Sequence, residues 1–404
     1  LRILILGYLV PDDLVAEICK TAKMPPMQAH RYLKGLTEAL DSASETPVDM
    51  ISVLPVNDYP YSPEVFVGFR KWKGRPGNGI WWGLPFINVF PLKHLTRYTS
   101  AVFFGSIWAL RHLREKKCIV VVSAASPGLS AGWILAKLFR AKMVPCLMDP
   151  PSQDLPTDGG IKAKARRFDR KISISMLNRA DALIGVTEPL AKMFCPVKPT
   201  TVFEGTVPVL PDEPAAAREE TRFVAAYAGA LGAVYGIPML LEAFKQLDPE
   251  KYALWLFGKG ECEDLIRETS QQHPNIQFFG FLTSGLEPRL RSADLLLMVR
   301  PSEGDDTALC FPNKIHHSMA LGVSTGITRL KGLGQEYFDH SFLLDDSSAD
   351  ALADSIRRIG ELPKQERMAQ AEKMIEFVRN EKSPTAMGGA LYGWLRHVTE
   401  GEHE

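Results

Sequence analysis

Phe311-Pro-Asn-Lys-Ile-His-His-Ser-Met-Ala-Leu-Gly322 carries a proline near its start, a lysine two residues on and a glycine at its end. Shortly before it runs Asp294-Leu-Leu-Leu-Met-Val-Arg300, apolar throughout, as a strand covered on both faces of a parallel sheet should be. An irregular, acidic loop, 301–310, separates the two. Pro312 suits the first turn of a helix, where a missing N–H costs nothing. Gly322 ends that helix, and 323–328 reads as the next strand. A strand, a long loop and a helix N-terminus make an anion site, because the first-turn N–H groups are free and the dipole is positive there. Lys314 adds a full charge one turn in.

The same alternation extends in both directions. Strands are expected at 2–7, 49–56, 118–123, 143–148, 181–186 and 200–203, with helices at 27–41, 100–116, 129–140, 162–178 and 188–194. A Pro-, Ala- and Glu-rich stretch, 207–221, marks the domain boundary. Beyond it strands are expected at 223–228, 252–257, 275–279, 294–299, 323–328 and 341–344. Helices are expected at 238–247, 261–272, 287–292, 312–321 and 348–361. The helical tail 364–400 breaks near Ser383-Pro384, and Tyr392, Trp394 and Leu395 would be its buried face. Residues 58–92 read as irregular. The order predicts an α/β protein with parallel sheets and helices on both faces. The expected domains are 1–208, 209–382 and a closing helix, 383–404.

The 404 residues suit two domains rather than one core. Net charge is zero but unevenly spread. Residues 1–208 hold 27 Lys+Arg and 17 Asp+Glu, so 27 − 17 = +10; the remainder hold 20 and 30, so 20 − 30 = −10. A basic first half favours an anionic partner. No nucleic-acid-binding motif accompanies it, which excludes nucleic acid as the expected partner. The six cysteines form no Cys-x-x-Cys pair and several lie in apolar elements, as in a reducing compartment. Residues 1–7 read as a strand rather than a leader, and no apolar run reaches bilayer length. A cytoplasmic protein is expected.

The stretch quoted first resembles the nucleotide-sugar site of retaining family 4 glycosyltransferases, which have the GT-B fold. Many members read Pro-Ser-Lys, a few apolar residues, Glu, Tyr-Met-Ala, any residue, Gly. Pro312, Lys314, Met319, Ala320 and Gly322 match, and Asn313 stands where Ser is common. His317 stands where the family's Glu holds the ribose hydroxyls. An imidazole can bond one hydroxyl but lacks a carboxylate's two-oxygen acceptance; the plainer reading is that His316 and His317 fill a helix face. The resemblance implies two Rossmann-like domains facing across a cleft, with a last helix returning to the first. It implies transfer of a sugar from a UDP- or GDP-linked donor to a hydroxyl acceptor, with no metal and no other cofactor. The leaving diphosphate would take the acceptor's proton.

On that resemblance further residues fall into place. The glycine turn Tyr227-Ala-Gly-Ala-Leu-Gly-Ala-Val-Tyr-Gly-Ile237 would bring Gly229 and Gly232 to the diphosphate; the family's Arg and Lys there read Ala230 and Tyr235. Without a ligand it is a tight strand–helix turn. Gly258, Lys259 and Gly280 close the next two strands, and backbone near Gly280 would read the base with a flanking aromatic stacked on it. Lys259 or Arg300 would help Lys314 stabilise the leaving group. Glu303, Asp305 and Asp306 could bond sugar hydroxyls, against the plainer reading of solvated surface.

The first half matches the family in layout only. Leu6-Gly-Tyr8 lacks the glycine fingerprint of dinucleotide binders, which weighs against a dehydrogenase. Ser123-Ala-Ala-Ser-Pro-Gly128 follows a strand and could line the site. Pro145-Cys-Leu-Met-Asp149 resembles the family's Pro-x-x-x-His-Asp, with Met148 in the His place. Asp149 would orient the acceptor hydroxyl, or else cap a helix. Residues 162–171 carry six basic side chains and one acid, and Trp72, Trp81 and Trp82 interleave with Arg70, Lys71, Lys73 and Arg75. That pattern fits a protein resting on an anionic membrane to reach a glycan or polyprenyl-linked acceptor; a solvated helix beside a core-packing loop fits it as well. Assembly of lipopolysaccharide or exopolysaccharide is the setting the resemblance suggests. A sugar-nucleotide epimerase and a non-catalytic partner of another transferase are the competing functions.

Overall fold

The computed structural model describes residues 1–21, 27–73, 79–151, 160–207, 210, 213–282, 284–303, 306–312 and 314–401. They form two compact units. Unit 1 comprises Leu1–Thr206, Leu309–Phe311 and Ser383–Glu404; unit 2 comprises Val207–Ala308 and Pro312–Lys382.

Unit 1 opens with β1 (Arg2–Gly7), α1 (Asp12–Thr21), α2 (Met27–Ala43) and β2 (Asp49–Ser52). Four short strands follow: β3 (Phe66–Val67), β4 (Arg70–Lys71), β5 (Trp81–Gly83) and β6 (Phe86–Ile87). Then come α3 (Leu92–Arg111), β7 (Lys117–Val121), α4 (Ser126–Phe139) and β8 (Lys142–Leu147). The series ends with α5 (Gly160–Leu177), β9 (Leu183–Gly185), α6 (Glu188–Phe194) and β10 (Thr200–Val202). One sheet runs β10-β9-β8-β7-β1-β2-β5-β4, parallel except where β4 meets β5; β3 and β6 form a separate ribbon. Ile3 to Leu6 of β1 are all buried, which is why the strand reads as one apolar run.

Two expectations fail here. Residues 58–92 are not irregular but hold β3 to β6, strands too short for a hydrophobic period to register. Trp81 and Trp82 are buried and Trp72 packs edge-on against Trp81 at 5.3 Å, so these indoles belong to the core rather than to an outer surface. Helix α3 begins at Leu92, not at residue 100. Its first inward side chains are cationic, which hides the period. Lys93 donates to the Val56 carbonyl at 2.9 Å and pairs with Asp58, and Arg97 donates to the Leu54 carbonyl at 3.2 Å. It ends at Arg111 because Lys117 Nζ, reaching back to the carbonyls of His112 and Glu115 at 2.9 and 2.7 Å, fixes a turn.

Unit 2 contains β11 (Phe223–Ala230), a 3₁₀ turn (Ala233–Tyr235), α7 (Ile237–Lys245), β12 (Tyr252–Lys259), α8 (Glu263–Gln272) and β13 (Ile276–Gly280). It continues with α9 (Leu286–Arg291), β14 (Leu295–Met298), α10 (Asp306–Leu309, whose last residue clusters with unit 1), α11 (Lys314–Ala320), β15 (Thr325–Thr328) and α12 (Gln335–Asp339). It closes with β16 (Phe342–Leu344), α13 (Ala349–Glu361) and α14 (Lys364–Glu381). All six strands are parallel, in the order β13-β12-β11-β14-β15-β16. That is the 3-2-1-4-5-6 order of a Rossmann sheet, with its switch point between β11 and β14. Helix α13 shows how locally the sequence specifies an element. Ser348 caps it by accepting from the Ala351 N–H at 3.1 Å, and Leu352, Ile356 and Ile359 fall on one buried face.

Helix α15 (Pro384–Glu400) packs on α2 of unit 1, and its buried face is Leu391, Tyr392, Leu395 and Val398, with Trp394 half-buried. Gly388 lets the two backbones touch: a Cβ there would overlap the Ala39 carbonyl. Among the described residues no helix is long and apolar enough to cross a membrane.

Candidate functional site

In an open parallel sheet the ligand site lies beyond the strand C-termini at the switch point. In unit 2 the residues there are Gly229 at the end of β11 and the loop and helix after β14. Lys314 opens α11 and its ammonium lies against Gly229: a Cβ at that glycine would overlap Lys314 Nζ. The nitrogen is 5.9 Å from the Tyr227 ring centre and 6.0 Å from that of Tyr235. Among the described residues it has neither a carboxylate partner nor a hydrogen bond. Burial alone pushes its pKa down to about 8. A half-buried, unpaired cation is an unfavourable thing to keep in a folded protein unless an anion completes it.

Arg300 follows β14 on the same side. Its backbone is fixed by Thr328, whose Oγ1 donates to the Arg300 carbonyl at 2.6 Å and lies 3.2 Å from the Arg300 N–H. Its guanidinium favours the ionised form of Tyr227, although burial holds that phenol above its ordinary range. The phenol donates to the Ala230 carbonyl at 2.9 Å. The loop beyond is anchored by Ser302, whose N–H and Oγ reach Asp346 at 2.5 and 3.0 Å. Glu303 is exposed. Asp305 and Asn313 lie outside the described residues, as does the side chain of Asp306. The loop expected to be irregular contains the one-turn α10, and α11 spans seven residues rather than the ten of 312–321. The positive charge at this site therefore comes from side chains more than from a helix dipole.

The glycine turn differs from the expected strand–helix turn. A 3₁₀ turn precedes α7, and the Ala233 N–H donates to Glu261 Oε1 at 3.0 Å, with Gly232 beside the same carboxylate. One backbone donor of the supposed phosphate cradle is thus already used. Gly258, at φ +139°, brings β12 against β11; a Cβ there would overlap the Gly229 carbonyl. Lys259 is exposed and its ammonium is 5.0 Å from the ring of Phe281. Gly280 ends β13 at φ +70°. Of the aromatics around it, Phe279 stacks on Phe257 at 4.9 Å and Phe278 lies under Arg267, whereas Phe281 is 59% exposed. Phe281 is the ring left open for a flat ligand; an aromatic directly after a strand-ending glycine was its signal in the sequence.

The two histidines divide. His316 is buried, 2.6 Å from the Tyr337 hydroxyl, and burial with help from Lys382 pushes its pKa down to about 3; it is a neutral core residue. His317 is partly exposed, and its Nε2 is 3.4 Å from Glu287 Oε1 at the start of α9.

Asp149 belongs to unit 1, just beyond β8. It reaches solvent, yet its partly protein-lined surroundings raise its pKa. The next described helix, α5, begins at Gly160, so Asp149 caps no described helix. Tyr8, beyond β1, donates to Met148 Sδ at 3.3 Å, and burial, Cys146 and Asp149 raise its pKa. The N-terminus of α4, in the stretch after β7, is taken: Ser126 N and Oγ both bond Asp169, at 3.1 and 2.6 Å.

Comparison with known proteins agrees with the fold. Residues 222–361, about a third of the chain, match the family described as "Glycosyl transferases group 1". No curated protein matches the chain in sequence. Among solved structures, OtsA in its apo form superposes with a TM-score of 0.65 at 13% identity, covering 98% of this chain and 99% of its own. HepE from Anabaena, in complex with UDP, gives 0.59 at 14% identity over 98% and 99%. The lipopolysaccharide outer core galactosyltransferase WaaB gives 0.59 at 11% identity over the whole of both chains. The fold is that of the GT-B glycosyltransferases, with two Rossmann-like domains.

Proposed function

We propose that the protein is a metal-independent, retaining glycosyltransferase that moves a sugar from a nucleoside diphosphate to a hydroxyl acceptor. The observation that carries this reading is the Lys314 ammonium, unpaired among the described residues and held against Gly229 at the switch point of unit 2. As the bond between the sugar's anomeric carbon and the diphosphate oxygen breaks, negative charge grows on that oxygen. Lys314 and Arg300 would stabilise it, in a site dry enough to depress a lysine pKa. The acceptor oxygen bonds the anomeric carbon and its proton passes to the leaving phosphate. Unit 2 would hold the donor, with Phe281 and Gly280 at the base; unit 1 would hold the acceptor, with Asp149 oriented toward its hydroxyl. Calorimetry with UDP, GDP, ADP and CMP, with and without EDTA, tests this. One diphosphate is expected to bind at micromolar concentration regardless of EDTA; no binding by any of them, or binding of the monophosphate CMP alone, overturns the reading.

The acceptor is proposed to be a lipid-linked or polysaccharide intermediate of cell-surface glycan assembly, met at the cytoplasmic face of a membrane. Support comes from the outer face of α3, where Leu92, Leu95, Phe103 and Leu110 are between 47% and 61% exposed, in one stripe. Helix α4 packs between α3 and α5, and α5 exposes Lys164, Arg167, Phe168, Arg170 and Lys171. An apolar stripe on α3 and a cationic one on α5, with α4 between them, suit an anionic bilayer. Sedimentation with vesicles containing anionic lipid is expected to carry the protein down at low salt and to lose it with the Leu95→Asp, Phe103→Asp pair. Indifference to vesicle charge would sink the membrane proposal.

A further inference from the structure

We propose that Glu287 supplies the carboxylate that holds the ribose hydroxyls of the bound nucleotide, with His317 as the residue that positions it. The inference rests on the donor site just described. Lys314 and His317 are three residues apart on α11 and so share a face, separated by about 4.5 Å along its axis. That is the step from a diphosphate to the sugar attached to it. At that step the protein presents an imidazole, and 3.4 Å from its Nε2 stands Glu287 Oε1, delivered by the helix that follows β13. Their side chains are 18% and 33% exposed, enough for a ligand to reach both.

Nothing else in α9 neutralises Glu287. Arg289 lies over the Phe279 ring at 5.1 Å, and Arg291 donates to the Leu321 carbonyl at 2.8 Å. His317 is the ion-pair partner that the described residues give Glu287. A carboxylate with one oxygen engaged by imidazole keeps acceptor sites for two hydroxyls on neighbouring carbons, which an imidazole alone cannot offer. The carboxylate is thus carried by α9 rather than by α11, and the two side chains act as one unit.

The experiment compares UDP and GDP, each beside its 2′-deoxy form, by calorimetry on the full chain and on Glu287→Gln, Glu287→Ala and His317→Ala. The unmodified protein is expected to prefer the ribonucleotide, and Glu287→Ala to weaken ribonucleotide binding by about 10- to 100-fold while barely changing the deoxy form. Glu287→Gln should lose most of the same preference, and His317→Ala part of it, with melting temperatures unchanged. An unaltered ribo-to-deoxy ratio in Glu287→Ala overturns the assignment. So does an equal loss for both forms, which would mark a structural role. If the unmodified protein binds neither UDP nor GDP in either form while ADP binds, the ratio is read on ADP and its 2′-deoxy form instead; binding of CMP alone contradicts the diphosphate site. If none of the four binds, the donor site itself is absent and both readings fall.

Discussion

Lys314→Met is expected to lower the rate of sugar transfer by about 100- to 1,000-fold, the usual cost of removing one preorganised donor from a developing oxyanion. The folded protein should not suffer. Lys314 has a pKa of about 8 when folded against an ordinary 10.5, so between those values the unfolded chain binds the extra proton. Stability therefore rises with pH across that window, and the charged lysine weakens the fold below it. Losing the charge should leave the melting temperature equal or higher. Donor binding has the opposite dependence, because it needs the ammonium. Affinity should hold below pH 8 and decline above it, with the midpoint moved upward once a diphosphate is bound. Kinetics and melting curves of the variant over that range check both halves. Full activity in Lys314→Met, or donor affinity flat through the lysine's titration, would remove it from the mechanism.

Gly258→Val should be the most damaging single change to unit 2. The backbone there has φ +139°, where side chains are strained, and the added Cβ would overlap the Gly229 carbonyl. Strain and overpacking together should cost about 3–5 kcal/mol, or roughly 10 °C in melting temperature for a unit of this size. Gly280→Ala is the control. Its φ of +70° is also left-handed, but nothing lies within 4 Å of the new Cβ, so only the backbone term remains, about 1–2 kcal/mol. Equal melting of the two variants would show that the close approach of β11 and β12 does not matter.

Much of the architecture was legible because strands buried on both faces announce themselves as apolar runs, as in Leu295 to Met298 or Ile3 to Leu6. Where buried positions are polar the signal disappears. The first turns of α3 are anchored by Lys93 and Arg97, and no apolar period marks them. The site was legible one element at a time. Lys314 and Gly229 both stood out in sequence, but their meeting depends on β11 and β14 being neighbours, which lies in topology rather than in either motif. Glu287 drew no attention because its partner is 30 residues away on another helix. Of the histidine pair, a core bond to Tyr337 separates His316 from His317, and that tyrosine is 21 residues further on.

The seating of α15 on α2 has a consequence for how the chain acquires its shape during synthesis. Ser42 and Pro384, within 3.5 Å of each other, are 342 positions apart. Every residue of unit 2 is synthesised before the helix that packs against Ala39 and Ser42 of α2. Unit 2 can therefore mature first, while the earlier-made unit 1 waits with an uncovered apolar seam, the kind of surface on which nascent chains aggregate and chaperones act. Expressing residues 1–206 alone would make that waiting state permanent.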